Sequence, residues 1–295
     1  MCSSLLYMLS PNPIRNIPAI KIVLVSTLLW TLLGHHTAKG DTLFVGIKRW
    51  LEMRDIQGRV IYRNTQSSGL AQTGIRLRSV GDLVQTAVDS SVVLAIDTGI
   101  GFVDISEQTT VQIQQLDILS SGGYRTRLRV TGGQARLRVR PFNNPDSTLE
   151  IETPSGWSGV RGTEFGVAVH PDGKTGIATL EGSIISEGED GSTVTVEEGL
   201  QSLVIPGEPP DTPTELTDNP NLNISFLGAI DNGRVRVVGE TEPINLVYIE
   251  KNPQITNREG QFDTIFPLNR TNTLDISIVT PLGQRQDYEL VVPRD

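Results

Sequence analysis

The segment from Tyr124 to Arg140 reads YRTRLRVTGGQARLRVR, and it alternates apolar with arginine side chains on both sides of Gly132-Gly133. An alternation of period two is typical of a β-strand that buries one face. Two glycines between such strands predict a tight hairpin turn, because glycine adopts the positive φ that these turns require. We therefore expect an antiparallel hairpin with one apolar face, on which Leu128 opposes Leu137.

The same register places arginines opposite one another on the second face of this hairpin. The expected pairs are Arg129 with Arg136, Arg127 with Arg138, and Arg125 with Arg140. Like charges directly across a hairpin destabilise it by some tenths of a kcal/mol each, so something must compensate.

Two interpretations of these arginines remain open. The first is an anion-binding face for a uronate-rich or sulfated glycan or for lipid phosphate, because the planar guanidinium group binds carboxylate and phosphate with two hydrogen bonds. The second is a set of internal salt bridges, since Glu150 and Glu152 have the matching alternation in a neighbouring segment and Asp117 lies on the other side.

Short apolar runs separated by Gly, Asn and Asp recur from Trp50 to Ile205, with almost no helical period. Frequent short strand signals of this kind predict an all-β domain, which we place at residues 50–205. Residues 206–223 are rich in proline and acidic residues and are predicted to form an extended, stiff linker. Strand-like runs resume over residues 224–293 and suit a small β-sandwich.

The N-terminal segment carries an export pattern. Arg15 and Lys21 precede an apolar run at 22–33, which is shorter than the roughly 20 residues that span a bilayer. Small residues follow in Ala38-Lys39-Gly40, so residues 1–40 are expected to form a cleaved signal peptide, with an uncleaved anchor as the alternative. We expect the mature chain in the periplasm or at the cell surface.

The composition of the mature chain limits the catalytic and metal-binding groups that it can contain. Cys2, His35 and His36 lie in or beside the export segment, so His170 is the only remaining histidine and no cysteine remains. We expect His170 to be exposed in a His-Pro-Asp-Gly turn. Disulfides, a Cys/His metal cage and a thiol nucleophile are therefore not expected, and no metal, cofactor or enzymatic activity is predicted.

The chain is acidic, with a formal net charge of −9 at pH 7. Removal of residues 1–40 would leave 22 basic against 34 acidic residues and a net charge of −12. A chain with this charge is a poor general binder of nucleic acid, so nucleic acid is not expected among its partners.

Several spaced phrases in the first module resemble the FecR domain. Its G-D-x-[IV]-x-T opening, TP phrase, VRGTEF core and LEG strand match this chain at Gly81, Asp82, Thr153, Pro154, Arg161, Gly162, Thr163, Glu164, Phe165, Glu181 and Gly182. The resemblance covers about residues 50–205, and we interpret these residues as structural. Residues 224–293 more loosely resemble bacterial immunoglobulin-like modules.

The resemblance implies an exported β domain of a family whose best-known members regulate iron uptake. Those members place a cytoplasmic anti-sigma segment before one membrane helix and sense an occupied outer-membrane receptor. Here only about twenty residues precede the apolar run, and the immunoglobulin-like module replaces the receptor-contacting segment. The layout resembles stand-alone FecR-domain proteins of bacteria such as cyanobacteria, which weakens the expectation of sigma-factor control.

Several other polar groups have both a functional and a structural interpretation. Glu164 and Glu181 could be drawn as an acid/base pair, but a pairing of Glu164 with Arg161 beside a tight turn is favoured. The acidic turns at 172–173 and 187–191 lack the spaced ligands of a calcium loop and are expected to be solvated. Trp157 is the best single aromatic candidate for an exposed contact, although half-burial is the commoner outcome.

We therefore expect a non-enzymatic exported protein that binds or senses a protein or an anionic envelope polymer, without membrane insertion beyond an N-terminal anchor. The candidate contacts are Arg125, Arg127, Arg129, Arg136, Arg138, Arg140 and Trp157. Two alternatives stay open: a structural or adhesion scaffold of the envelope, and a transmembrane signal transducer with a retained N-terminal anchor.

Overall fold

The computed structural model describes residues 48–293, apart from residues 98, 161 and 232. Every regular element in this part is a β-strand, which confirms the predicted all-β class. Across these residues no helix is long and apolar enough to cross a membrane. The expected export segment at 1–40 lies outside the described residues, as does Arg161.

Eighteen strands, numbered in chain order, form the first module. They are β1 (Leu51–Gln57), β2 (Val60–Arg63), β3 (Ser68–Leu70), β4 (Arg76–Leu77), β5 (Leu83–Thr86), β6 (Ser91–Ile96), β7 (Gly101–Ile105), β8 (Thr110–Ile118), β9 (Tyr124–Val130), β10 (Gly133–Val139), β11 (Thr148–Thr153), β12 (Gly156–Val160), β13 (Glu164–Val169), β14 (Thr175–Glu181), β15 (Ser183–Gly188), β16 (Thr193–Glu197), β17 (Leu200–Val204) and β18 (Thr214–Glu215). The first sheet has the order β18-β17-β14-β13-β10-β7-β6-β1-β4. The second sheet has the order β16-β15-β12-β11-β9-β8-β5-β2-β3.

The two sheets pack against each other through one apolar core. Leu137 and Phe165 of the first sheet and Leu128 and Ile151 of the second are all fully buried in this core. Successive side chains of a strand point to opposite faces, so the residues between these positions point away from the core. The outer faces of the two sheets therefore point in opposite directions.

The predicted hairpin at Gly132-Gly133 is wrong. β9 lies in the second sheet and β10 in the first, so the two strands are not paired with each other. Gly133 still has a positive φ of 81°, but the turn carries the chain across the core from one sheet to the other. Both apolar rows are buried in the same core by this arrangement, and like charges no longer face each other across a ladder.

The crossover through β10 returns the chain to the second sheet beside its starting strand. β11 pairs with β9 in parallel, with Glu150 aligned to Arg127 and Glu152 aligned to Arg129. β12 then pairs with β11 in the antiparallel sense and aligns Trp157 with Glu152. The strand order thus places acidic side chains directly beside the arginines of β9.

Seven strands form the C-terminal module in two further sheets. They are β19 (Asn223–Asp231), β20 (Arg234–Glu240), β21 (Leu246–Ile249), β22 (Asn252–Gln254), β23 (Gln261–Pro267), β24 (Thr273–Val279) and β25 (Arg285–Val291). The third sheet has the order β19-β20-β23 and the fourth β22-β21-β24-β25. Val237, Ile249 and Ile276 share their core, so the module is a small sandwich, while its immunoglobulin-like character stays a prediction.

The Pro-rich segment follows the edge of the first sheet. Asp211 donates its backbone N–H to the carbonyl of Leu203 at 2.8 Å, and β18 pairs with β17. From Lys48 onward the chain forms one compact unit. The division into two domains and a linker stays a prediction, and in the structure both modules contact each other directly.

Small residues on the outer face of the first sheet make this contact close. Gly166 and Ala168 of β13 pair with Ala178 and Gly176 of β14, and both alanines are fully buried. A Cβ placed on Gly166 would overlap the carbonyl group of Pro281 in the C-terminal module. Glycine is therefore required at position 166 by the approach of the other module.

We predict that Gly166→Ala weakens the contact between the modules. The added methyl group must displace the 280–282 turn, and overpacking of this kind costs about 1–3 kcal/mol. Urea denaturation should show a lower free energy of unfolding. Gly69→Ala is the matched control, because a Cβ there meets nothing within 4 Å; equal losses in both variants would contradict the prediction.

Candidate functional site

The six candidate arginines lie on two opposite outer faces. Arg125, Arg127 and Arg129 belong to β9 in the second sheet, whereas Arg136 and Arg138 belong to β10 in the first, with Arg140 just beyond it. The single arginine-bearing face expected from the hairpin is therefore replaced by two separate surfaces.

On the second sheet, two of the arginines are held in ion pairs. The guanidinium group of Arg127 lies 2.5 Å from a carboxylate oxygen of Glu150, and that of Arg129 lies 2.5 Å from Glu152. The internal salt bridges expected for Glu150 and Glu152 are confirmed. Asp117 is aligned with Arg125 but accepts a hydrogen bond from Gln115 instead.

Trp157 extends this row of the second sheet. It is 36% exposed and aligns with Glu152 on one side and Glu187 on the other. A Cβ on Gly159 would lie 3.1 Å from the Trp157 ring, so the ring leans over the glycine along its own strand. Trp157 is thus a half-exposed surface residue beside an occupied ion pair.

On the first sheet, two arginines are also paired. Arg136 binds Glu164 at 2.5 Å and also donates to the carbonyl of Leu282 at 3.3 Å. Arg138 binds Asp104 at 2.9 Å and lies over the ring of Phe102. Glu164, expected to pair with Arg161, is therefore bound by Arg136, and this contact gives it a structural role.

A cavity of about 360 Å³ opens at the end of the first sheet beside these pairs. Arginines at the end of β10 and just after it line the cavity together with residues of the VRGTEF and LEG phrases. The lining includes Phe102, Arg138, Arg140, Gly162, Thr163, Glu164 and Glu181. Residues distant in sequence meet here because β7, β10, β13 and β14 are consecutive neighbours in the sheet.

Two charges in this cavity have no ion-pair partner among the described residues. Arg140 and Glu181 are both exposed, and neither side chain makes a hydrogen bond or ion pair within that part of the chain. The hydroxyl of Thr163 is also buried without a partner in the described residues. A buried hydroxyl that lacks a hydrogen bond costs free energy.

Other signature residues hold turns in the fold. Asp82 is 2% exposed, and its carboxylate accepts hydrogen bonds from the backbone N–H groups of Thr65, Arg78 and Ser79. Gly81, Gly162 and Gly182 all have positive φ. The hydroxyls of Thr153 and Ser155 form a hydrogen bond across the tight turn that contains Pro154. These contacts support the structural interpretation of the signature residues.

The expectation that His170 is exposed is wrong. The C-terminal module covers its turn, so His170 is only 1% exposed. Burial, together with the nearby Lys174 ammonium group, lowers the pKa of His170 from 6.5 to about 3. Neither ring nitrogen makes a hydrogen bond to a described residue, so the imidazole is a neutral packed group.

Lys174 is a residue that the sequence analysis missed. It is 2% exposed, and its ammonium group donates to the carbonyl of Thr256 at 2.9 Å, to the Thr256 hydroxyl at 2.6 Å and to the carbonyl of Asn257 at 2.8 Å. Burial lowers the pKa of Lys174. The sequence around Lys174 does not indicate this burial, because the residues that bind its ammonium group lie more than eighty positions away.

The structure defines an all-β protein in which a two-sheet domain carries a signature-lined cavity. Residues 82–185 match the family described as FecR protein, which confirms the resemblance indicated by the motifs over this segment. No curated protein matches the chain.

Among solved structures, the chain is similar to two crystal structures of a candidate anti-sigma factor from Parabacteroides distasonis. Each has 13% identity and a TM-score of 0.38, and the match covers 45% of this chain and 59% of the other. A polysaccharide lyase matches with 11% identity and a TM-score of 0.20, over 85% of this chain and 40% of the lyase. TM-scores this low carry no structural or functional inference.

We predict that Arg127→Glu destabilises the protein modestly, because it replaces an ion pair with two adjacent carboxylates. The Arg127 side chain is 43% exposed, so the expected loss is about 1 kcal/mol by urea denaturation. Combining it with Glu150→Arg should restore most of the loss. Arg125→Glu is the control; an equal loss there would show that the pair contributes nothing.

We also predict an acid-sensitive stability that depends on His170. Its folded pKa of about 3 lies below the ordinary 6.5, so the unfolded chain binds the proton first. The free energy of unfolding should therefore decrease as the pH falls from about 6.5 towards 3, by at most about 1.4 kcal/mol per pH unit. His170→Leu should flatten this dependence in urea titrations, and an unchanged slope would contradict it.

Proposed function

We propose that the chain is a non-enzymatic, exported binding or sensing module that recognises an anionic group on a protein or envelope polymer. The proposal rests on Arg140, whose side chain lines the signature-lined cavity and has no partner among the described residues. A guanidinium group without an internal partner is free to bind carboxylate, sulfate or phosphate with two hydrogen bonds. The match to the FecR family supports a role in signalling or sensing.

The state of the other charged groups supports the choice of this cavity. Arg127, Arg129, Arg136 and Arg138 are each engaged by a carboxylate, so an incoming anion would have to displace that partner. Arg125 is the other candidate arginine without a side-chain partner in the described residues, but it does not line this cavity. Arg140 combines an available charge with a concave site.

The proposal of a non-enzymatic role rests on the chemistry of the buried groups. His170, the imidazole retained after the export segment, is packed between the modules with a depressed pKa. Glu164, one member of the drawn acid/base pair, is bound by Arg136. In the described part, no group of three His, Cys, Asp or Glu side chains is placed to hold a metal ion.

Two other functions remain as alternatives. A scaffold or adhesion role is favoured by the direct contact between the modules, in which Arg285 binds Glu107 and Lys251 binds Asp89 across the junction. A transmembrane signalling role would require residues 1–40 to be retained as an anchor. Mass spectrometry of the intact protein after cell fractionation tests the transmembrane alternative. A mature N-terminus near Asp41 would remove it.

We predict that Arg140→Ala weakens binding of an anionic polymer. Titration calorimetry with polygalacturonate and with dextran sulfate should show saturable binding by the intact protein, and at least a tenfold loss in the variant, as expected for a charge-assisted hydrogen bond. Arg125→Ala is the matched control, because it removes an equally unpaired arginine on the opposite face.

Equal losses in the Arg140→Ala and Arg125→Ala variants would show diffuse charge attraction and contradict the assignment of the site. Absence of binding to both polymers would restrict the proposal to a protein partner. In that case Arg140→Ala should still lower capture by a defined partner, with Arg125→Ala as the control.

A further inference from the structure

A second cavity of about 320 Å³ lies where the C-terminal module meets the first sheet. One wall comes from the first module and includes Gln57, Ser91 and Glu107. The other wall comes from β21 and β25 and includes Tyr248, Arg285 and Asp287. We call it the junction cleft. Ligand sites occur preferentially at such domain contacts, and this volume suits a small ligand.

The hydroxyl of Tyr248 is a potential ligand-binding group in the junction cleft. Tyr248 is 3% exposed, and its ring packs against Ala168 and Val279. Its hydroxyl makes no hydrogen bond to any described residue, and its oxygen is not among the fully buried unpartnered atoms, so it can bond to water or to a ligand in the cleft. Burial and the Glu107 carboxylate raise the pKa of Tyr248, so the hydroxyl keeps its proton and can donate it.

The charged groups around the junction cleft already form ion pairs. Arg285 binds Glu107 and also Asp287, at 2.8 Å to the latter. Asp89, which lies at the rim, is bound by Lys251 at 2.6 Å. An anion would find no free cation in this lining, while the carboxylate oxygens retain lone pairs that accept further hydrogen bonds.

The remaining polar groups of the junction cleft are neutral. The hydroxyl of Ser91 has no partner among the described residues, and the amide of Gln57 lies on the same wall. Hydroxyl donors and carboxylate acceptors that line one small volume match a ligand that carries several hydroxyl groups. A sugar ring has this pattern, because each of its hydroxyls both donates and accepts.

We propose that the junction cleft binds a neutral sugar residue, with the Tyr248 hydroxyl donating to one sugar oxygen and the carboxylates of Glu107 and Asp287 accepting from its hydroxyls. The site is distinct from the Arg140 cavity, and neither shares a lining residue with the other. Since the two walls belong to different modules, the bound sugar stabilises their contact.

The test uses glucose and N-acetylglucosamine as probes with the whole protein. Titration calorimetry should show saturable binding of at least one probe, and the melting temperature should rise steadily with the logarithm of that probe's concentration above its Kd. Tyr248→Phe, which removes one oxygen atom from a buried ring, should weaken binding about tenfold, the loss expected for one hydrogen bond. Tyr62→Phe is the control, because its exposed hydroxyl binds Ser67 and its strand, β2, lies in the second sheet, whereas the cleft lies on the first.

Ser91→Ala provides a second variant if Tyr248→Phe lowers the melting temperature of the free protein, and it should weaken the same probe. Failure of both sugars to bind at tens of millimolar overturns the proposal, as does unchanged affinity in both variants. Arg140→Ala should leave sugar binding unaltered, so failure of this proposal and failure of the anion site are distinguishable.

Discussion

The apolar core shared by the two nine-stranded sheets constrains the direction of every side chain in the first module. Each strand must present one face to this core, so its alternate residues are forced onto an outer surface. Leu128 and Leu137 meet inside it, and the arginines beside them consequently point to opposite sides of the sandwich. The core therefore separates two sets of charges that are only a few residues apart in sequence.

Once exposed, these arginines need local partners. The parallel return of β11 beside β9 places Glu150 and Glu152 in register with them, and the first sheet supplies Asp104 and Glu164 in the same way. The ion pairs follow from strand order and not from nearness in sequence. Arg140 lies just beyond the last residue of β10, where the row of acidic neighbours ends. Its guanidinium group therefore has no ion-pair partner among the described residues.

The outer face of the first sheet is not wholly a solvent surface. Gly166 and Gly176 leave space into which the C-terminal module inserts backbone and side-chain atoms, including those of Ile244. This contact buries His170 and Lys174 together. Lys174 satisfies its ammonium group with carbonyl and hydroxyl oxygens across the junction, whereas the neutral His170 contributes packing.

Local patterns in the sequence predict strands and some of their neighbours, and the all-β class and the Glu150 and Glu152 pairs follow from them. They do not predict which strands share a sheet: Gly132-Gly133 encodes a turn with positive φ, but the turn geometry alone does not distinguish a hairpin from a crossover. The burial of His170 depends on residues more than seventy positions later. Long-range packing of this kind leaves no periodic signal in the chain.

The same separation gives the two candidate sites different chemistry. The Arg140 cavity is built from the first module alone and offers an unpaired cation, so its occupation changes little at the junction. The junction cleft offers unpartnered hydroxyls between ion-paired side chains, and its walls move apart if the modules do. A ligand in the cleft adds its binding free energy to the contact between the modules. If both proposed sites are occupied, a ligand in the cleft would therefore act on the junction, whereas an anion at Arg140 would leave the junction unchanged.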